Sequence, residues 1–198
     1  MLLGLETFSY HLAFGRGQMD IFDFIHRAHA FGLDGVQVNI GVGPPKWGHL
    51  GSVAPDFLQK VRSLIEELGF YIEIDTSSTD PAYLHQVLDV CHALGADVLR
   101  TYERPSGDLA HDMDMAVSNI RQIIPICEEY DIHIAFENHE YETTYDVIQV
   151  IERVGSDYVG ALVDNGNGMM VWEDPDETVE LLAPYAISSH LKDHLIIR

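Results

Sequence analysis

The sequence predicts an α/β chain folded as a (β/α) barrel of the TIM kind. Three observations predict it. Short runs of β-branched and aliphatic residues alternate with stretches whose apolar residues recur at helical spacing, the mark of a parallel sheet covered by helices. The runs return about every thirty residues, what one strand, one helix and two loops need in a barrel of roughly 250 residues and eight units. Each run also ends in polar or ionisable residues, and in a parallel barrel those ends face one shared pocket while the strand bodies fill the core.

The first strand is read at Leu2–Glu6. Asp20 then caps a helix that carries Ile21, Phe24, Ile25 and Ala28 on one face and stops at Gly32. The second strand, Gly35–Asn39, leads into the turn-rich segment 41–48, a candidate active-site loop built around Pro44, Pro45 and Trp47. Leu58, Val61, Leu64, Ile65 and Leu68 form the next helical face, which ends at Gly69 before a strand at Tyr71–Asp75. Asp80 and Pro81 open a third helix with Leu84, Val87, Leu88, Cys91 and Leu94 inward and Gly95 as its stop. After a strand at Val98–Thr101 comes a longer helix over 111–130, in which Pro125 predicts a kink or a late start. Strands at Ile132–Glu137, Val159–Asp164 and Ile187–His190, with short helices over 143–154 and 176–183, complete seven units. No low-complexity linker interrupts them, so residues 1–198 read as one domain.

Composition narrows the function. A formal charge of −21 with eleven Lys and Arg residues opposes binding to a phosphate backbone, so nucleic acid is excluded as a partner. No apolar stretch approaches the roughly 20 residues of a membrane helix, and the start lacks the basic and apolar regions of an export signal. Cys91 and Cys127 lie in helical apolar patterns and form no CxxC pair, which fits a reducing cytoplasm. The expected location is therefore cytoplasmic.

The strand ends carry the chemistry. They present Glu6 and His11, Asn39, Glu73 and Asp75, Arg100, then Glu137 to Glu140, Asp164 to Asn167, and His190 with Lys192, Asp193 and His194. Glu137, Asp164 and His190 stand on three consecutive strands, and two carboxylates with an imidazole suit a single divalent ion: Mn²⁺, Mg²⁺, Co²⁺ or Zn²⁺. The structural alternatives are a buried ion pair of Glu137 with Lys192 or Arg100, and a hydrogen-bonded core imidazole at His190. Arg100 and Lys192 are cations suited to a substrate carboxylate, phosphate or developing oxyanion, and strand alternation keeps His190 and Lys192 on one side.

Five stretches resemble the xylose isomerase-like TIM barrels, often grouped as sugar phosphate isomerases and epimerases. They are Thr7 to Tyr10, Phe31 to Gln37, Phe136-Glu137-Asn138-His139, Val163-Asp164-Asn165-Gly166-Asn167 and Ser189-His190-Leu191-Lys192-Asp193; the last three are the specific ones. The resemblance implies that Glu137, Asp164 and His190 ligate the metal, that His139 and Asn167 lie beside it, and that Lys192 faces the substrate. With His11 and Arg100 these make up the candidate substrate-binding residues, and Glu137 and Lys192 the candidate catalytic pair. The sequence departs from the family at three places: Asn138-His139-Glu140 stands where epimerases often carry an Asn-Arg pair and a second glutamate, Asn167 where many members have histidine, and no eighth strand supplies a fourth, glutamate ligand.

The activity implied is a metal-dependent isomerase or epimerase acting on a ketose or keto-sugar derivative through a metal-stabilised enediolate. A lyase of the same family, decarboxylating a keto-sugar acid or cleaving a C-glycoside, is the alternative, and a non-catalytic fragment or binding subunit is the other. The partner is a small-molecule sugar or sugar acid, with no nucleic acid or membrane, and a homo-oligomer is left open. Since the seventh strand ends close to Arg198, the expectation is an open barrel whose eighth strand and helix are missing, with β-edges left unpaired.

Overall fold

The computed structural model describes residues 1–41 and 47–192. Most of the candidate loop 41–48, together with Asp193 and His194, lies outside the described residues. Seven strands form one parallel sheet in chain order: β1 (Gly4–Glu6), β2 (Gly35–Asn39), β3 (Tyr71–Asp75), β4 (Val98–Thr101), β5 (His133–Glu137), β6 (Val159–Asp164) and β7 (Ala186–His190). The sheet is curled. Side chains of β7 reach those of β2 and β3 across the interior, His190 meeting Gln37 and Ser188 meeting Glu73. β1 and β7 are its two ends, so the described residues make the open barrel that the sequence predicts.

Strand alternation divides the side chains cleanly. Val36, Val38, Ile72, Ile74, Leu99, Ile134, Phe136, Ala161 and Val163 face the helices and join the main core. Fully burying a side chain of this type is worth about 1.5–3 kcal/mol, so this layer supplies most of the drive for sheet–helix packing. The opposite face is small or polar. A minor cluster of Val98, Ala135 and Leu162, with Ile187 against it, fills the inside of the barrel low on its strands. A Cβ on Gly35 would come within 2.5 Å of the Tyr71 ring, so the ring needs glycine beneath it. Between β6 and β7 the register slips at Ala161/Leu162: Ala161 pairs with Ala186 but Leu162 with Ser188, leaving Ile187 as an extra residue. Gly160 gives that residue room, since a Cβ there would lie 2.8 Å from the Ile187 side chain.

The helices are α1 (His11–Gly15), α2 (Ile21–Ala30), α3 (Pro55–Leu68), α4 (Pro81–Leu94), α5 (Leu109–Tyr130), α6 (Thr144–Val154) and α7 (Pro175–Leu182). Asp20 and Thr143 each form a capping box, with Asp23 and Asp146, while Asp80, Asp108 and Asp174 cap singly; a cap of this kind contributes about 1 kcal/mol. Pro125 does not delay α5. The helix starts at Leu109 and continues through the proline, because its buried face, Met113, Ala116, Val117, Ile120, Ile123 and Ile126, docks on both sides of it. The short α1, and the 3₁₀ turn over Thr7–Tyr10 before it, were not expected from the sequence. No helix of the described residues is long and apolar enough to cross a membrane.

Candidate metal centre

β5, β6 and β7 end in Glu137, Asp164 and His190, and the register pairs Asp164 directly with His190. One potential ligand atom from each lies within 4.8 Å of the others. His190 Nδ1 is 3.2 Å from Glu137 Oε1 and 3.7 Å from Asp164 Oδ2. With bonds of about 2.1 Å, neighbouring donors around a small divalent ion stand roughly 3 Å apart and opposite ones roughly 4 Å, so the set fits such an ion.

Asp164 supports that fit most directly. Its Oδ1 accepts from the backbone N–H groups of Gly166 and Asn167, both at 2.9 Å, and the Asn138 side chain clamps its backbone through both N–H and C=O at 2.9 Å. Its Oδ2 is buried and receives no backbone N–H. Lys192 Nζ sits 2.9 Å from that oxygen in an ion pair. Burial alone would raise the Asp164 pKa; the contacts with His190, Lys192 and the Gly166 N–H outweigh it and hold the carboxyl well below the usual carboxylate range.

Glu137 makes the buried ion pair with Arg100 that the sequence allowed and leaves its other oxygen toward His190. Oε2 accepts from the Arg100 guanidinium in a buried ion pair, while Oε1 faces His190 and lies 3.4 Å from Asn167 Nδ2. Arg100 is 7% exposed, places Nη1 3.5 Å from Asp75, donates to Thr76 O and lies 4.8 Å from the Tyr102 ring centre. It is thus tied to protein carboxylates beneath the site. Lys192 is more open, its side chain 37% exposed, and donates to Asn167 Oδ1 at 2.6 Å. His139 stacks flat on Tyr102, 3.8 Å between ring centres, and burial followed by the charges of Arg100 and Lys192 lowers its pKa to about 4, so it is neutral at pH 7. His11 is exposed on α1, stacks on Phe8 and lines the same cavity as His190 and Lys192.

Sequence reasoning missed Gln37 and Glu142. Gln37 Oε1 meets His190 Nε2 at 2.7 Å; its mid-strand position, two residues before Asn39 and on the same face, was the available signal. Glu142 accepts from the His139 N–H at 2.6 Å, and burial pushes its carboxyl up to about 7. Glu6 is also pushed up to about 7, by burial and then by the charge of Asp75. Burial raises Glu73 as well, against the hydrogen bonds from Gln37 and Ser188. A cavity of about 940 Å³ runs along the gap between β1 and β7, from Leu2, Asp97 and Ala186 at one end to His11, His190 and Lys192 at the other.

A curled parallel sheet wrapped in helices, with its ionisable side chains at the C-terminal strand ends, defines a (β/α) barrel whose site lies at that face. The chain belongs to the xylose isomerase-like TIM barrel family, whose model matches residues 25–196. It is similar to the 3-oxo-isoapionate decarboxylase of Pectobacterium atrosepticum, 29% identical over 147 residues, 74% of this chain and 53% of that protein. It is also similar to the uncharacterized protein YihM of Escherichia coli, 22% identical over 196 residues, 99% of this chain and 60% of the relative. The chain therefore spans between half and two thirds of the length of these curated relatives. Among solved structures, a D-psicose 3-epimerase determined in the presence of D-fructose superposes with a TM-score of 0.78 at 14% identity, over 96% of this chain and 72% of that one. At that identity the likeness speaks to the fold alone.

Proposed function

We propose that this chain carries the three-residue divalent-metal site, Glu137, Asp164 and His190, of an isomerase or epimerase acting on a ketose or keto-sugar derivative. The observation that carries the reading is the convergence of the three donors, with the Asp164 Oδ2 oxygen buried and facing only the cationic and imidazole groups of Lys192 and His190. A divalent ion held there supplies a Lewis acid that draws charge from a ketone oxygen and so favours an enediolate. The rest is done by the chain. Lys192 Nζ, between Asp164 and the open cavity, holds a substrate carboxylate or oxyanion and can return a proton to it. Asn167 orients that ammonium through Oδ1. Arg100 holds Glu137 by Oε2, which leaves Oε1 turned to the centre, where it can serve as a ligand and take the proton from the carbon beside the ketone.

Decarboxylation of a keto-sugar acid is a second reading, favoured by the Pectobacterium relative and by the placing of Lys192, because loss of CO₂ needs no base at the reacting carbon. NMR of products from a keto-sugar and keto-sugar-acid panel separates the two. Solvent deuterium at one carbon with the skeleton intact marks isomerisation, and release of CO₂ marks the lyase. The metal site itself is tested by Mn²⁺ uptake: Asp164→Asn should weaken it by more than the roughly 10–100-fold typical of groups outside the ligand set. Equal uptake by the variant and the parent protein would remove the reading.

A further inference from the structure

A chain of hydrogen bonds runs behind His190, on the side away from Glu137 and Asp164. Ser188 Oγ lies 2.9 and 3.1 Å from the two oxygens of Glu73, Gln37 Nε2 donates to Glu73 Oε2 at 2.8 Å, and Gln37 Oε1 stands 2.7 Å from His190 Nε2. Three strands contribute: Gln37 and Glu73 are register partners on β2 and β3, and Ser188 precedes His190 by two residues on the same face of β7.

The chemistry gives this chain a direction. Ser188 Oγ and Gln37 Nε2 both lie at donor distance from the Glu73 carboxylate, and an acceptor there faces the NH₂ end of Gln37. The amide has one donor end and one acceptor end. With the first committed to Glu73, only its carbonyl oxygen is left for His190, and Gln37 is 6% exposed, which leaves little room for water to alter the choice. A bare ring nitrogen 2.7 Å from that oxygen would set two lone pairs against each other, so Nε2 carries a hydrogen.

We infer that Gln37, held in one orientation by Glu73 and Ser188, is a positioning residue that keeps the hydrogen of His190 on Nε2 and so makes Nδ1 the nitrogen offered to a cation. This deepens the metal-site reading and rests on it. It also explains the ring's orientation: Nδ1 is the atom turned to Glu137 and Asp164. Partners of this kind behind a metal-bound histidine set its tautomer and raise its basicity.

The test uses the full chain with nitrogen-labelled histidine. Long-range proton–nitrogen NMR should find Nε2 of His190 protonated both with and without Zn²⁺, with Zn²⁺ shifting the Nδ1 signal. Gln37→Leu should expose the Nε2 hydrogen to rapid solvent exchange and lower Mn²⁺ affinity, read by paramagnetic resonance, about 10–100-fold. Glu73→Gln should lower it less, because the Gln37 amide can then turn. The double variant Gln37→Glu/Glu73→Gln puts an obligate acceptor beside His190 and an amide donor behind it, and should recover the parent pattern even where Gln37→Leu does not fold. An unprotonated Nε2 in the parent protein, a Gln37→Leu variant matching the parent in both readouts, or no recovery in the double variant overturns the inference. A protonated Nε2 in a parent protein that takes up neither Mn²⁺ nor Zn²⁺ overturns the metal site instead and leaves the tautomer assignment standing.

Discussion

The strand ends of β5 to β7 and those of β1 to β3 are built from the same residue types, yet they do different things. On β5 to β7, Glu137, Asp164 and His190 point at one another, and the buried Asp164 Oδ2 faces His190 and Lys192. On β1 to β3, Gln37 is spent on Glu73, Asn39 on Asp75, and Glu6 lies in a buried setting beside Asp75 that favours its protonated form. The first set of side chains gathers around a common point, and the second is paired off within itself. Arg100 of β4 joins them, with Glu137 on one side and Asp75 on the other. Acidity at a strand end therefore does not by itself make a ligand; the distribution of donors around each carboxylate decides.

The largest effect on this contrast should come from removing its seam. Arg100→Met leaves Glu137 and Asp75 facing each other without their buried cation, and loss of one partner from such a pair costs about 3–5 kcal/mol. Urea unfolding at neutral pH measures it, and a loss below about 1 kcal/mol would break the view of Arg100 as the shared counter-ion.

The two halves should next differ in the sign of their pH response. Glu6 has a folded pKa raised to about 7, so the folded protein binds its proton more tightly than the unfolded chain does. Its stabilising contribution is complete below the ordinary value of 4.5 and is lost as pH rises through about 7. Asp164 has a lowered pKa, so its contribution is present above the ordinary 3.8 and is lost as pH falls below it. Glu6→Gln should flatten the stability profile between pH 4.5 and 7, and Asp164→Asn should flatten the acid limb. Urea midpoints across pH read both; a flattening by Glu6→Gln on the acid limb instead would reverse the comparison.

The smallest effect is expected outside the barrel interior. Arg153 and Asp114 pair at 2.6 Å with side chains 45% and 67% exposed, and such surface pairs contribute about 0.2–1 kcal/mol. Asp114→Ala should stay within that range and lose even that in high salt, which sets the scale against which the Arg100 variant is judged.

Period-two alternation and the glycine and aspartate signals at helix ends made the outer layer legible in the sequence. The strands at β2, β3, β4 and β6 fall where the alternation puts them, and the helix stops at Gly69 and Gly95 both hold. The convergence of Glu137, Asp164 and His190 was legible too, because it follows from three strand ends sharing one face. What stayed hidden depends on distance across the curl. Nothing local in Gln37 says that it meets His190, 153 positions later, and nothing in Arg100 says that Asp75 is its second partner beside the Glu137 pair that the sequence allowed. The continuous α5 shows the same limit, since tertiary docking on both sides of Pro125 overrides a local breaker.

The extra residue in β7 has a consequence of parity. Side chains on a strand take the two faces in turn, so counting on from Ala186, which pairs with the outward-facing Ala161, would send Ile187 inward, Ser188 outward and His190 outward. The extra residue inverts the count once: Ile187 and Ser188 both turn inward, and His190, two steps on, follows Ser188. One residue of arithmetic thus separates an imidazole beside two carboxylates from one buried among the helices. The irregular step lies three residues before the histidine, with Gly160 alongside to accommodate it.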